Sequence, residues 1–311
     1  MNSLVSVIIP NYNHALYLDE RIQSVLNQTY QNFEIIILDD ASPDNDASKS
    51  VIEKYKGNPH ISHIIYNAHN SGSTFKQWNK GFHLAKGQYI WIAESDDYCK
   101  SDFLARIMDS INSENVAIAY SSSVLVDSTG KELRASDIAV KIPVGLFNGI
   151  EFVKQYMCKN NSIWNASAVV FKKEYALHLN PIYTTFKSAG DHLFWILLAE
   201  KGDVIHIPDE LNYFRQHDVK VTPQKYKEGI THLEELEIVK YLKNRGYLTL
   251  HNELNVVNHY LSEILYYEYN NQLVRKKILH EWRCFNLILC SVLIPYIRFR
   301  EFVYSLIRRT Y

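Results

Sequence analysis

The hydrophobic pattern changes period along the chain. Residues 5–10 (VSVIIP) and 33–38 (FEIIIL) are short, nearly continuous apolar runs, the pattern of strands buried on both faces. Residues 61–66 and 89–93 predict a third and a fourth strand. Between the first two, Leu18, Ile22, Val25 and Leu26 recur at helical spacing. Residues 75–85 hold good helix formers and stop just before Gly87, a plausible cap. Strand–helix alternation in this order implies right-handed crossovers and a parallel sheet. Ligands of such sheets gather beyond the carboxyl ends of the strands.

The middle of the chain is mixed. Residues 116–120 and 124–126 predict strands, with a turn at 127–130, and residues 166–171 predict another. Gly190 and Asp191 open an apolar helix over 192–200, closed by Gly202. Strands at 204–207 and 211–214 then run into Arg215, Gln216 and His217. After residue 225 only helical patterns remain, through residue 247 and over 253–269. The boundary is therefore expected near residues 218–225, giving an α/β domain over 1–220 and a helical region over 221–311.

Polar clusters fall where strand-end chemistry is expected. The first strand runs into Asn11, Tyr12 and Asn13, the second into Asp39, Asp40 and Asp44, and the fourth into Glu94, Asp96 and Asp97. Each alone could be a turn or a helix cap; together, on neighbouring strands, they favour a site. Asp96 and Asp97, with Glu94 behind them, are hard oxygen donors suited to Mg²⁺ or Mn²⁺ and to phosphate oxygens. Asp40 can accept from a nucleobase N–H or a ribose hydroxyl. No GxGxxG follows the first strand and no GxxxxGK[ST] occurs, which argues against a dinucleotide fold and a P-loop nucleotidase.

Composition excludes some classes. With 47% hydrophobic and 22% charged residues the chain is a folded one, and its net charge of −1 argues against a nucleic-acid binder. Four cysteines show no zinc or disulfide spacing. Trp164 and Trp195 are expected in the core, whereas Trp78 is open between core and ligand platform. The first residues lack a basic segment and a cleavage site, so no signal peptide is read. The longest charge-free apolar stretch, 284–297, has 14 residues and falls short of a membrane span. A cytoplasmic protein is the expectation.

The segment VSVIIPNYNHALYLDERIQSVLNQTYQNFEIIILDDASPD resembles the opening of the inverting family 2 glycosyltransferases of bacterial surface-polysaccharide synthesis. The resemblance continues through GQYIWIAESDDY and GDHLFWILLAEKGDVIHIPDELNYFRQH and covers residues 4–217. It implies the GT-A fold, a Rossmann-like α/β domain with a mostly parallel sheet, followed here by an α-helical carboxyl-terminal region. It also implies roles for particular residues. Pro10 and Tyr12 would line the nucleobase pocket, and Asp40 would bond the base. Asp96 would approach ribose and metal, Asp97 would be the main metal ligand, and His217 would approach metal and diphosphate. Asp191 matches the catalytic base, although a capping role for it, and a surface role for His217, stay open.

An inverting transfer is one in-line displacement, so a single carboxylate must take the acceptor's proton. The departing nucleoside diphosphate gains charge, which a metal and a cation such as Arg215 or Lys76 would stabilise. Two departures from the family pattern stand out. Glu94 occupies a position that often holds aspartate. The 72–79 segment is one residue longer than usual and lacks an arginine, whose charge Lys76 would replace.

Residues 274–311 carry eight basic and two acidic residues, a net of +6 that leaves −7 for residues 1–273. Phe299, Phe302, Val303, Leu306 and Ile307 recur on one helical face beside arginines, the pattern of a helix lying in an anionic membrane interface. Packing on the preceding domain is the alternative, and Pro295 would kink or break the segment either way. The expected function is metal-dependent, inverting sugar transfer from a nucleotide-sugar, UDP-linked, to a glycan or lipid-linked acceptor. The enzyme would be peripheral on the cytoplasmic membrane face. The rivals are a sugar-phosphate nucleotidyltransferase and a catalytically silent sugar-binding subunit.

Overall fold

The computed structural model describes residues 3–111, 113–133, 142–216 and 221–309. They fall into two compact units: Met1–Tyr156, Asn161–Phe186 and Gly190–Val219 in one, and Met157–Asn160, Lys187–Ala189 and Lys220–Tyr311 in the other.

The first unit alternates strand and helix as the period changes predict. It opens with β1 (Val5–Asn11), α1 (Ala15–Leu26), β2 (Phe33–Asp39), α2 (Ala47–Glu53), β3 (Ile61–Tyr66), α3 (Thr74–Leu84) and β4 (Tyr89–Ile92). There follow β5 (Tyr98–Cys99), α4 (Phe103–Ser110), β6 (Val116–Asp127), β7 (Gly145–Phe147) and α5 (Gly149–Phe152). The unit continues with β8 (Val169–Lys172), α6 (Lys173–Leu177), α7 (Gly190–Ala199) and β9 (Asp203–Gln216). The strands form one sheet in the order β3-β2-β1-β4-β8-β6-β9-β5, with β7 also on β9.

Its first half is parallel: β1 lies between β2 and β4, and β3 extends it beyond β2. The second half is mixed rather than parallel, because β8 runs antiparallel between β4 and β6 while β6 and β9 are parallel. Two of the predicted strand pairs merge. β6 and β9 are each continuous, and register shifts at Ser121, Ser122 and Ser123 absorb the polar interruption that split the pattern. The stretch at 166–171 divides the other way, into a 3₁₀ turn at Ala166–Ala168 followed by β8.

Parallel central strands explain the unbroken apolar runs. Every residue of β1 and β2 is buried. Val5, Val7 and Ile9 share one core with Leu18, Ile22 and Val25 of α1 and Phe103, Leu104 and Ile107 of α4. On another face α3, β8 and α7 meet through aromatic rings, with Phe82 centred 5.6 Å from both Phe171 and Phe194. A Cβ on Gly81 would come within 2.7 Å of Ile8, so α3 reaches the sheet only because that position is glycine. Pro10 sits in a central strand without breaking it, since the ladder to β4 ends at Ile8.

The second unit contains α8 (Val221–Lys227), α9 (Ile230–Asn244), α10 (Leu250–Tyr266), α11 (Gln272–Phe285) and α12 (Leu287–Arg309). Side chains cap three of these helices: Thr249 accepts from the Asn252 amide, Asn271 from those of Leu273 and Val274, and Asn286 from that of Leu289. Val239, Val257, Leu261, Ile264, Trp282 and Ile297 are fully buried in its core. The helical assignment of α12 runs through Pro295, which therefore does not end the segment.

Candidate active site

Because β2, β1 and β4 are parallel neighbours, their carboxyl ends lie side by side. The loops after β1 and β2 are tied to each other. The Asp40 amide donates to the Asn11 carbonyl at 2.9 Å, and Asn11 Nδ2 donates to Asp39 Oδ2 at 2.7 Å. Ser42 Oγ accepts from the Asn13 amide and donates to Asp39. The bends place Asn13 and Ala41 in the left-handed region, at φ of 60° and 58°.

The nucleobase candidates differ in accessibility. Pro10 is buried, whereas Tyr12 is 45% exposed. Asp40 is buried and already engaged: its carboxylate accepts from Asn67 Nδ2, the Ser71 amide and hydroxyl, and Gln77 Nε2. In this arrangement it organises the 67–77 segment. Lys76 is exposed, and its ammonium donates to the Ser71 carbonyl at 2.9 Å.

The acids after β4 are crowded. Asp97 is buried, and its carboxylate accepts from the Arg215 amide at 2.9 Å and from Asn165 Nδ2 at 3.0 Å. Desolvation first, and then the charge of half-buried Asp96, push the Asp97 carboxyl up to about 6. The same two causes push Glu94 up to about 8, against the indole N–H that Trp78 donates to it at 2.8 Å. Trp78, buried in the aromatic core, thus holds a site acid and is no ligand platform. Carboxyl groups withdrawn from water and repelling one another are a donor set that a hard divalent cation would satisfy, and Asp96 and Asp97 fit that requirement.

Two arginines flank this turn. Arg215 is 3% exposed: its Nε donates to the Asp96 carbonyl, its Nη1 to the Ser128 carbonyl, and its Nη2 pairs with Glu20. The rings of Tyr17 and Tyr98 lie 4.6 and 5.2 Å from its guanidinium carbon. The sequence suggests it as a cation for the departing diphosphate; each guanidinium nitrogen is bound to protein, and it holds the Asp96–Asp97 turn. Arg21, unsuspected from the sequence, is fully buried, with Nε donating to the Glu94 carbonyl and both Nη atoms lacking a partner. Its charge works against the rise of both Glu94 and Asp97.

Asp191 lies in the first turn of α7, inside the helix rather than capping it. Asn161 Nδ2 donates to its Oδ2 at 2.9 Å. A Cβ on Gly190 would fall 2.7 Å from the Tyr183 carbonyl and 2.5 Å from the Phe75 ring, so glycine is needed for α7 to start there. One short segment, 161–167, contacts both acid groups. Asn161 bonds Asp191, Asn165 bonds Asp97, and Ser167 Oγ accepts from the Glu94 amide. The segment lacks the periodicity that would single these residues out. It also carries Trp164, which is 42% exposed against Phe214 and so is not the core residue expected; Trp195 is fully buried. His217 lies outside the described residues.

A sheet of this topology with acids and amides at its strand ends is the scaffold of a nucleotide-sugar-binding α/β enzyme. The family model for glycosyl transferase family 2 matches residues 6–170, and the chain belongs to that family. Glycosyltransferase GlyG of Streptococcus pneumoniae serotype 4 is 29% identical over 150 residues, covering 45% of this chain. That match spans about half of the relative's own length, 49%. Among solved structures, S. aureus TarS 1-349 in complex with UDP-GlcNAc superposes with a TM-score of 0.60 at 17% identity, covering 94% of this chain and 91% of the other. Mannosyltransferase PcManGT from Pyrobaculum calidifontis, in complex with GDP-Man and Mn²⁺, gives 0.54 at 16% identity, with 94% and 87% covered. At those identities the two structures speak for the fold.

Proposed function

We propose that this chain is an inverting, divalent-metal-dependent glycosyltransferase acting in cell-surface polysaccharide synthesis. It moves a sugar from a nucleotide-sugar, UDP-linked, to a hydroxyl of a glycan or lipid-linked acceptor. The observation that carries the reading is the 161–167 segment, which contacts Asp97 and Glu94 on one side and Asp191 on the other. It links a donor-binding acid turn to a separate carboxylate within a family 2 chain.

In the proposed reaction Asp191 takes the acceptor's hydroxyl proton as that oxygen bonds to the anomeric carbon. The bond from that carbon to the diphosphate breaks, and the electron pair leaves with the nucleoside diphosphate. Attack opposite the leaving group inverts the configuration, and one carboxylate suffices where a retaining glycosidase needs two. Asp97 and Asp96, with His217, would hold the metal, which supplies charge neutralisation at the departing diphosphate. Exposed Lys76 adds a cation, and Arg215 keeps the acid turn in place. Pro10, Tyr12 and Asp40 form the nucleobase end, with Tyr12 offering the exposed ring.

Support for a membrane partner lies on α12. Leu287, Ile288, Val292, Tyr296, Phe299 and Phe302 are all exposed, while Cys290, Leu293, Ile294 and Ile297 are buried. An apolar face beside exposed Arg298 favours attachment to an anionic lipid surface, on the cytoplasmic side where nucleotide-sugars are held. Leu306 and Ile307 of the expected stripe lie outside the residues whose side chains are described. No helix among the described residues is long and apolar enough to cross a membrane.

A panel of nucleotide-sugars, titrated with Mn²⁺ or with EDTA, tests the donor reading. Binding is expected for one donor, to weaken at least tenfold in EDTA and to lose its metal dependence in Asp97→Asn. Equal binding with and without metal would overturn the metal assignment. Retention of chains ending at residue 273 on anionic liposomes, equal to that of the full chain, would overturn the α12 reading.

A further inference from the structure

The helical unit holds a group of side chains able to ligate a metal, two of them buried, that the proposed sugar transfer does not use. His232 and Glu235 stand three residues apart on α9, and Glu263 is on α10. One ligand atom from each lies within 4.8 Å of the others. His232 is 1% and Glu235 8% exposed, yet His232 Nε2 and Glu235 Oε2 have no hydrogen-bond partner. Native proteins leave few buried polar atoms in that state, and each one calls for a reason.

The remaining atom of each buried ligand is already oriented. The Tyr269 hydroxyl lies 3.0 Å from His232 Nδ1, and the Tyr226 hydroxyl donates to Glu235 Oε1 at 2.9 Å. The rings of Tyr226 and Tyr267 pack on the imidazole at 5.0 and 5.5 Å. In the tautomer that donates its Nδ1–H to the Tyr269 oxygen, the Nε2 lone pair is open to a metal, the usual arrangement of a metal-bound histidine. Glu263 is exposed, with His259 Nε2 3.8 Å from one of its oxygens, and gives the cluster an opening to solvent.

We propose that His232, Glu235 and Glu263 form a structural site for a borderline transition ion of the Zn²⁺ class, joining α9 to α10. One imidazole nitrogen and two carboxylate oxygens are a donor set that Zn²⁺ takes and Mg²⁺ does not choose. Tetrahedral Zn²⁺ needs donor atoms about 3.3 Å apart. Side-chain rotations would have to bring ligand atoms now within 4.8 Å of one another to that spacing. Water fills the fourth position. The proposed metal set at the acid turn after β4 depends on Asp97, so Asp97→Asn separates the two sites.

The experiment is metal analysis of the full chain after dialysis against Zn²⁺, with Co²⁺ absorption as a second probe. Asp97→Asn is expected to keep one equivalent of Zn²⁺ and the visible bands of a Co²⁺–imidazole centre. His232→Gln is expected to lose both, and Glu263→Ala, at an exposed position that folding tolerates, to weaken Zn²⁺ at least tenfold. Zn²⁺ should raise the melting temperature of wild type and of Asp97→Asn but not of Glu263→Ala. Equal Zn²⁺ content in wild type and Glu263→Ala overturns the site, as does the absence of any Zn²⁺ that survives Asp97→Asn.

Discussion

The acids after β4 and the acids of α9 and α10 share raised carboxyl groups and like-charged neighbours but differ in the donors that face them. Glu94 and Glu235 are both pushed up to about 8, in each case mainly by desolvation. Around Glu94, however, stand Arg21, an indole N–H and two further carboxyl groups, and the neighbouring Asp97 accepts from two N–H donors. Around Glu235 stand one tyrosine hydroxyl and the carboxylates of Glu263 and Glu234, and burial pushes the adjacent His232 down to about 4. In the first set, N–H donors and the Arg21 charge favour the ionised carboxylates. In the second, burial favours the neutral form of both groups. A raised carboxyl pKa therefore identifies neither; the donors that face it do.

The largest effect that should separate the two regions is on turnover. Asp191→Asn is expected to lower kcat by about 10²–10⁴-fold, the usual worth of a general base, while Glu235→Gln leaves kcat within a factor of two. Steady-state kinetics on both variants checks this. Next, Asn165→Ala removes a donor to the Asp97 carboxylate, and loss of a hydrogen bond to a charged group costs about 1.5–3 kcal/mol. Metal-dependent donor affinity should fall by about 10–100-fold in calorimetric titration, with the fold intact by circular dichroism.

A pH series sharpens the comparison further. Glu94 and Asp97 have folded-state pKa values raised above the ordinary carboxyl range. The folded chain thus keeps protons that the unfolded chain has already released. Its stability in EDTA should fall as pH rises from about 4 towards 8 and then level off. Glu94→Gln, which keeps an acceptor for Trp78, should melt progressively higher than wild type across that window. Smallest is the backbone effect. Ala41 is held at a φ of 58°, so Ala41→Gly should stabilise the first unit by about 1 kcal/mol in urea unfolding.

The parallel half of the sheet is legible in the sequence because strands buried on both faces must be apolar at every position, as β1 and β2 are. β6 and β9 are harder to read, since a bulge at Ser121–Ser123 breaks the pattern without breaking the strand. No local signal fixes β8 antiparallel between β4 and β6, because strand order is decided by long-range packing. α2 has only Val51 and Ile52 as large apolar residues and gives no usable period. The acids of the site stand out as clusters at strand ends. Arg21, Asn161, Asn165 and Ser167 do not, because a single polar residue acquires meaning only from the partner that folding brings to it.

The most direct test of the central claim is product analysis. Chain, Mn²⁺, a bound UDP-sugar and a glycan acceptor are incubated, and nucleotide products and anomeric configuration are read by chromatography and NMR. The account predicts one UDP released per glycosidic bond formed, inverted configuration, and severe loss of both in Asp191→Asn while the donor still binds. Release of pyrophosphate, retained configuration, or undiminished turnover by Asp191→Asn would contradict it.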